Sequence, residues 1–275
     1  SEYMLLQVGF TYAYEISKSV SIGFTPTINY ANLQLGPNPT ANPSMTGYPY
    51  TDKTPAFGYG AQLGIFYQGD NGLKLGANYK SPQYFTDFEF KNTYLDNSKS
   101  ENSFNMNYPA VYSVGAGYTT KDFDFALDFR MVEYSKTAGF DAYGWTQFGS
   151  VKGFGWKDMQ VLSMGVQYKG INKLPLRVGY TYSSNPIKPE LAFFSTPATA
   201  IIKNAYQFGF GYEMSDKLTL NGVYHHGDSS GSTTGPMYNP MMASPTNPLG
   251  TMPGTEVSYK MTTDLLMIGF SYKLN

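Results

Sequence analysis

Cysteine is absent from the 275 residues. That excludes disulfides, thiol catalysis and thiolate metal sites, and it fits a bacterial surface protein. Charge is also scarce: Asp, Glu, Lys and Arg make up 14% of the chain and the net charge is -1, against a usual quarter of residues charged. A nucleic-acid partner would find no electrostatic hold on such a chain. No apolar run approaches the roughly 18 residues of a transmembrane helix. Histidine occurs twice, as the adjacent pair His225-His226. Neighbours on a strand face opposite ways, so the two do not share a metal, and neither a metal nor another cofactor is expected. No motif sets a serine beside a histidine with an orienting partner, so no enzyme is expected. No leader segment precedes the first strand pattern, and the chain reads as processed or truncated.

Tyrosine, phenylalanine and glycine are plentiful instead, at 25, 19 and 29 residues. The mean hydropathy of -0.32 looks soluble. Transmembrane barrels look soluble too, because half of each strand faces a polar lumen. Residues 157–184 show the governing pattern. Leu162, Met164, Val166 and Tyr168 alternate with Ser163, Gly165 and Gln167; after a turn at residues 170–173, Leu176, Val178, Tyr180 and Tyr182 alternate with Arg177, Gly179, Thr181 and Ser183. Period two means strands, here a hairpin with one apolar face. The same layout recurs at residues 4–14, 18–30, 57–68, 73–90, 104–119, 123–131, 204–213, 217–226 and 257–273, which makes eleven strands. Turns of about two to four residues, the first at Glu15-Ile16-Ser17, alternate with loops of about 13 to 30, as in outer-membrane barrels. The loops expected are residues 31–56, 91–103, 135–155, the proline-containing stretch after Ser184, and 227–256. Tyr12, Tyr67, Tyr118, Tyr168, Tyr212 and Tyr272 fall on the apolar face near the short turns, as an interfacial girdle would. An apolar band this regular is expected to face lipid, where only a closed barrel satisfies every backbone group. The fold expected is therefore all-β, a transmembrane antiparallel β-barrel in a bacterial outer membrane. A large soluble β-sandwich would explain the alternation but not the girdle or the loop asymmetry.

Several short motifs resemble one known family. Gly76-Ala77-Asn78-Tyr79-Lys80-Ser81-Pro82 resembles its Gly-x-x-Tyr-Arg-Ser strand end. Pro109-Ala110 with Ser113 and Gly115 resembles its Pro-x-x-x-Ser-x-Gly strand. Trp156-Lys157-Asp158, followed by Gly165 and Tyr168, resembles its Trp-x-Asp strand start. Leu176-Arg177-Val178-Gly179-Tyr180 with Pro186 resembles its Leu-Arg-x-Gly-Tyr…Pro segment. In this order and spacing they are similar to the FadL family of outer-membrane transporters for long-chain fatty acids and other hydrophobic compounds. The resemblance implies fourteen strands and an N-terminal hatch. Residues 1–275 then read as a single barrel domain lacking the hatch, the first three strands and with them the family's kinked third strand. The end at Lys273-Leu274-Asn275 departs from the terminal Phe common in such barrels.

The resemblance also implies a hydrophobic groove between two extracellular loops and a pocket in the lumen. By strand count the loops are residues 31–56 and 91–103. They offer Leu33, Leu35, Met45, Tyr48 and Tyr50 from the first, and Phe104 and Met106 at the edge of the second; simple loop packing is the other reading of these residues. On the mostly polar lumen face the apolar exceptions are Phe66, Val111, Met159, Val161, Leu265 and Met267. Met159 and Val161 suit an acyl-chain pocket, since such a ligand binds chiefly by apolar burial; Phe66 suits contact with a plug. Lys74, Lys80, Arg130 and Arg177 point inward, either towards a ligand carboxylate or into pairs with Asp124, Asp128 or Glu213 or with the hatch. Trp145, Phe148 and Trp156 read as loop packing or upper girdle, and Phe193 and Phe194 as a gate. The function implied is passive uptake of long-chain fatty acids or other hydrophobic molecules, with a hydrophobic ligand and outer-membrane lipid as the partners. A barrel serving as an adhesion or structural scaffold at the cell surface is the alternative, and sequence upstream of these residues discriminates the two.

Overall fold

The computed structural model describes residues 1–199 and 201–273, so Leu274 and Asn275 of the chain end discussed above lie outside the described residues. The strands are β1 (Glu2–Gly9), β2 (Tyr12–Ser17), β3 (Val20–Gln34), β4 (Tyr50–Thr51), β5 (Thr54–Gln68), β6 (Leu73–Lys80), β7 (Tyr84–Phe85), β8 (Phe88–Thr93), β9 (Lys99–Phe104), β10 (Val111–Thr119), β11 (Phe123–Val132), β12 (Met159–Tyr168), β13 (Leu176–Ser183), β14 (Asn204–Glu213), β15 (Leu218–Asp228), β16 (Thr233–Tyr238), β17 (Thr251–Tyr259) and β18 (Thr262–Tyr272). One antiparallel wall runs β1-β3-β5-β6-β10-β11-β12-β13-β14-β15-β18, with β2 also on β3 and β7 on β5. These are the eleven expected strands, each paired to its neighbour in the chain, an up-and-down order that only hairpins produce.

The first expected strand, residues 4–14, is divided into β1 and β2, and the reason is Pro26. Gly9 pairs with Thr27 and Tyr12 with Phe24, so the register does not slip across the gap. Phe10 donates to the Pro26 carbonyl at 3.2 Å, but proline has no N–H to return the bond. The first turn falls at residues 18–19 rather than at Glu15-Ile16-Ser17, where the Ser17 Oγ accepts from the backbone N–H groups of Ser19 and Val20. The second strand correspondingly runs four residues past Tyr30, to Gln34.

Three further expectations are corrected. The strand expected at 73–90 stops at Lys80, because Pro82 forces the chain off the ladder; residues 88–93 pair instead with β9 and β4 in a separate three-stranded sheet. The polar loop expected at 91–103 is thus half of a hairpin, and the next wall strand begins at Val111, not Phe104. The loop expected at 227–256 likewise holds the hairpin β16-β17, and the last wall strand starts at Thr262 rather than Val257.

Register fixes the two faces of the wall. Ile22, Ile65, Ala77, Val114, Phe129, Leu162 and Tyr182 form one cross-strand row. All six girdle tyrosines point to that same side and are exposed. The opposite side carries rows such as Gly64, Asn78, Ser113, Arg130, Val161 and Ser183. So the broad apolar band is uncovered and the small and polar residues line the other surface. Apolar exposure this extensive requires a hydrocarbon solvent.

The buried core sits elsewhere, among the long connections. Ala31, Leu33, Leu35, Ala56, Phe85, Phe88, Phe90 and Met106 form one cluster; Val151, Leu191, Phe194 and Tyr238 form a second; Ile187, Ala192 and Ile201 form a third. β8 explains why a wall pattern ended up here. Phe88, Phe90 and Asn92 are buried while Glu89 and Lys91 are exposed, the period-two pattern of a strand lying on a core.

A polar knot ties the wall to this layer where β6 ends. Gln83 is fully buried, and its carbonyl oxygen accepts from Thr27 at 2.6 Å, Asn29 at 2.8 Å and Gln7 at 3.0 Å, while its amide donates to the Ser81 carbonyl. Only a glycine at position 60 leaves room for it, since a Cβ there would overlap the Gln83 amide. The substitution Gln83→Leu strands the two buried donors of Thr27 and Asn29 and is expected to cost about 3 kcal/mol, measured by urea unfolding of the protein in lipid vesicles.

Candidate functional site

Four long connections converge on one cavity of about 270 Å³. Leu33 at the end of β3, with Leu35 and Pro39 beyond it, forms one side. Phe104 at the end of β9, with Met106, Tyr108 and Pro109 between it and β10, forms the next. Tyr134, Phe140, Val151, Phe154 and Trp156 come from the β11–β12 connection. Phe194, Pro197 and Ala198 come from the β13–β14 connection, and Tyr3 from β1. Tyr134, Phe140, Phe154 and Trp156 pack as one aromatic block, with ring centroids 4.9 to 5.7 Å apart, in the tilted and edge-on arrangements that ring quadrupoles favour. Gly155 at φ +67 joins Phe154 to Trp156. A side chain there would press on Leu191 and Tyr143, so only glycine lets both neighbouring rings reach the cavity. The Trp156 indole N–H donates to the Ser195 Oγ at 2.8 Å, which satisfies the one polar atom that the ring buries.

Burial pushes the Tyr134 phenol up to about 12, and does the same to Tyr48 in the β3–β5 connection. Tyr48 donates to the Gly149 carbonyl at 2.6 Å and thereby joins two loops. A phenol whose affinity for its proton is higher folded than unfolded stabilises fully below the unfolded value near 10 and loses that contribution as pH rises through 12. Tryptophan emission from this layer is therefore expected to hold to about pH 10 and to shift to the red between about 10 and 12.

Of the residues that sequence reasoning selected, the structure gathers Leu33, Leu35, Phe104 and Met106 round this cavity. Tyr48 lines a second hollow beside it. Met45 lies wholly exposed at a loop tip, and Tyr50 is exposed. The lumen-side set stays apart from the cavity and is spread over three places on the wall. Val111 and Met159 share a row through Val132, with Val161 two residues along the strand from Met159. Phe66 is in a row with Gly76 and Asp128; Leu265 lies opposite His225, and Met267 opposite Val223.

The inward charges do not pair as expected. Asp124 binds Lys169 at 2.8 Å and accepts from Gln167 at 2.9 Å, instead of meeting Arg177, Arg130, Lys74 or Lys80. Arg177 donates to Gln167 at 2.6 Å. Asp128 and Glu213 form no ion pair among the described residues, and neither do Lys74, Arg130 and Arg177. Lys80 donates to Gln7 at 3.0 Å and sits 4.6 Å from the centroid of the Tyr108 ring. Sequence reasoning placed Trp156 in the loop packing or upper girdle and did not select Phe140, Phe154, Tyr134 or Tyr108. Their signal was density of aromatic residues in residues 134–156 rather than periodicity.

An antiparallel wall with an uncovered apolar band, topped by packed loops that enclose an aromatic cavity, has the features of an outer-membrane barrel protein. The sequence matches the outer membrane protein transport protein family (OMPP1/FadL/TodX) over residues 3–234, and the chain belongs to that family. No curated protein sequence matches the chain. Among solved structures it is similar to the Pseudomonas putida toluene transporter TodX, at 15% identity over 99% of this chain and 70% of that one, with a TM-score of 0.62. The Ralstonia pickettii toluene transporter TbuX gives 14% identity, 98% and 68% coverage and a TM-score of 0.62. A Pseudomonas aeruginosa FadL homologue gives 14%, 98%, 68% and 0.66.

Proposed function

We propose that this protein passively takes up small uncharged hydrophobic molecules, single-ring aromatics above all, across the outer membrane, and that the loop cavity is where they are first held. The observation that carries this is the lining. Aromatic and aliphatic side chains dominate it, and no Lys, Arg or His is among them. A cavity of roughly 150 Å³ suffices for benzene, so 270 Å³ takes one ring with space to turn. Binding is by apolar burial, the concentration gradient drives transfer, and no covalent step is needed. The toluene transporters with the same fold agree with this substrate class.

Long-chain fatty acids form the second reading, and Lys80 favours it. Its ammonium lies 4.6 Å from the ring centroid of a cavity residue, Tyr108, and has no carboxylate partner among the described residues. Uptake of labelled toluene and labelled oleate by cells carrying the full-length protein separates the two. Toluene uptake several-fold above empty-vector cells, with oleate at background, supports the first reading. Oleate uptake that Lys80→Ala abolishes supports the second. Neither label entering, with the barrel inserted, contradicts both.

A further inference from the structure

Three tyrosines line the otherwise apolar cavity: Tyr3 from β1, Tyr108 before β10 and Tyr134 after β11. Their hydroxyls make no hydrogen bond among the described residues, and those of Tyr108 and Tyr134 are not sealed in protein. We propose that these three hydroxyls recognise one neutral oxygen substituent on the ligand's ring, so that the cavity selects one-ring phenols over the matching hydrocarbons. This deepens the reading above and rests on the cavity being the ligand seat.

Other tyrosines of the same loop layer are spoken for. Tyr48, Tyr238 and Tyr259 each donate to a backbone carbonyl. Other polar side chains of the lining are engaged too. The Thr40 hydroxyl donates to the Asn38 side chain at 2.7 Å, the Asn107 Oδ1 accepts from the Phe85 N–H at 2.8 Å, and Glu2 pairs with Lys53 at 2.7 Å. The Tyr134 phenol is pushed up to about 12 by burial and then by the Tyr108 and Tyr3 phenols, so the three oxygens lie within reach of one another's charge. Each ring is also held. Tyr134 packs on Phe140 and Trp156 at 4.9 and 5.0 Å. Tyr108 exchanges two backbone bonds with Gln83, at 2.9 and 3.1 Å, and Tyr3 lies opposite Leu33 on the β1-β3 ladder. Groups fixed in advance lose little freedom when a ligand arrives.

A hydrocarbon that fills the cavity drives water from these hydroxyls and offers them no acceptor, which is costly. A ring oxygen offers its lone pairs instead, while the apolar lining still buries the rest of the ring. A site with hydrogen-bonding groups of its own rejects the analogue that lacks their partner. No Lys, Arg or His lines the cavity, so the substituent it suits is neutral.

Labelled p-cresol and labelled toluene differ by one hydroxyl, which stays protonated near pH 7. Equilibrium dialysis of each against the full-length protein in lipid vesicles, with uptake by protein-free vesicles subtracted, gives the two dissociation constants. p-Cresol is expected to bind about tenfold more tightly than toluene. Tyr134→Phe and Tyr108→Phe keep the ring and remove only the hydroxyl. Each is expected to weaken p-cresol about threefold and not to weaken toluene. With Tyr3→Phe added to both, the two constants are expected to meet. Equal or weaker binding of p-cresol by the unaltered protein, or a preference that none of the variants reduces, overturns recognition by the hydroxyls while leaving the cavity as ligand seat. No saturable binding of either label, or saturable binding that Ala198→Trp does not weaken, overturns the seat and the recognition together.

Discussion

Placing an arginine at Leu127 is expected to cost the barrel about 2–4 kcal/mol, the depth-dependent penalty for a cation on the lipid face at mid-bilayer. Leu127 lies midway along β11, half exposed, in a row with Ala116 and Met164. Ala126→Arg, one residue away, is the matched control. Its neighbours across the ladders are Gly117 and Gly165, so the lumen side offers both room and water, and the cost there is expected to stay below about 1 kcal/mol. Unfolding in lipid vesicles reads both numbers. Equal costs would mean that the apolar face is not the lipid face, and the assignment of inside and outside would fall with it.

The second large effect concerns the cavity. Ala198 lies on its wall, and Ala198→Trp places an indole in the space. Toluene uptake is expected to fall at least tenfold while the amount of heat-modifiable barrel in the outer membrane stays the same, because the overpacking strain of about 1–3 kcal/mol falls on a loop layer and not on the wall. Met45→Trp, at the exposed loop tip, is expected to leave uptake unchanged. If both substitutions reduce uptake equally, the loss reflects loop bulk and not the filling of this cavity.

The wall was legible in the sequence because a sheet between lipid and water has two unlike solvents, and unlike solvents impose alternation on every strand. Ile65, Ile22 and Phe129 needed no partner to be recognised as facing one way. The loop hairpins escaped for the same reason turned round. Phe88 and Phe90 alternate as wall residues do, and period two says that a face is buried but not against what. The one local sign that β6 ends at Lys80 is Pro82, which outweighs the apolar alternation after it. Leu33 and Leu35 were recognisable only as apolar residues in a stretch that the family resemblance puts at the ligand groove; they fall on the face of β3 opposite to Ile22 and Ile28. Phe140, Phe154 and Trp156 sit in a connection without a period, and only the tertiary contact between separate loops brings them to one cavity. Lys169 was missed as the partner of Asp124 because it lies one residue past β12, where a turn and not the strand pattern sets its direction.

Crystals of the full-length protein soaked in bromobenzene give the most direct reading of where the ligand is held, since bromine scatters anomalously and marks its own position. A bromine peak bounded by Leu33, Met106, Phe140 and Trp156, the central walls of the loop cavity, is the expected result. Peaks confined to the lipid-facing band, with this cavity empty, would contradict it.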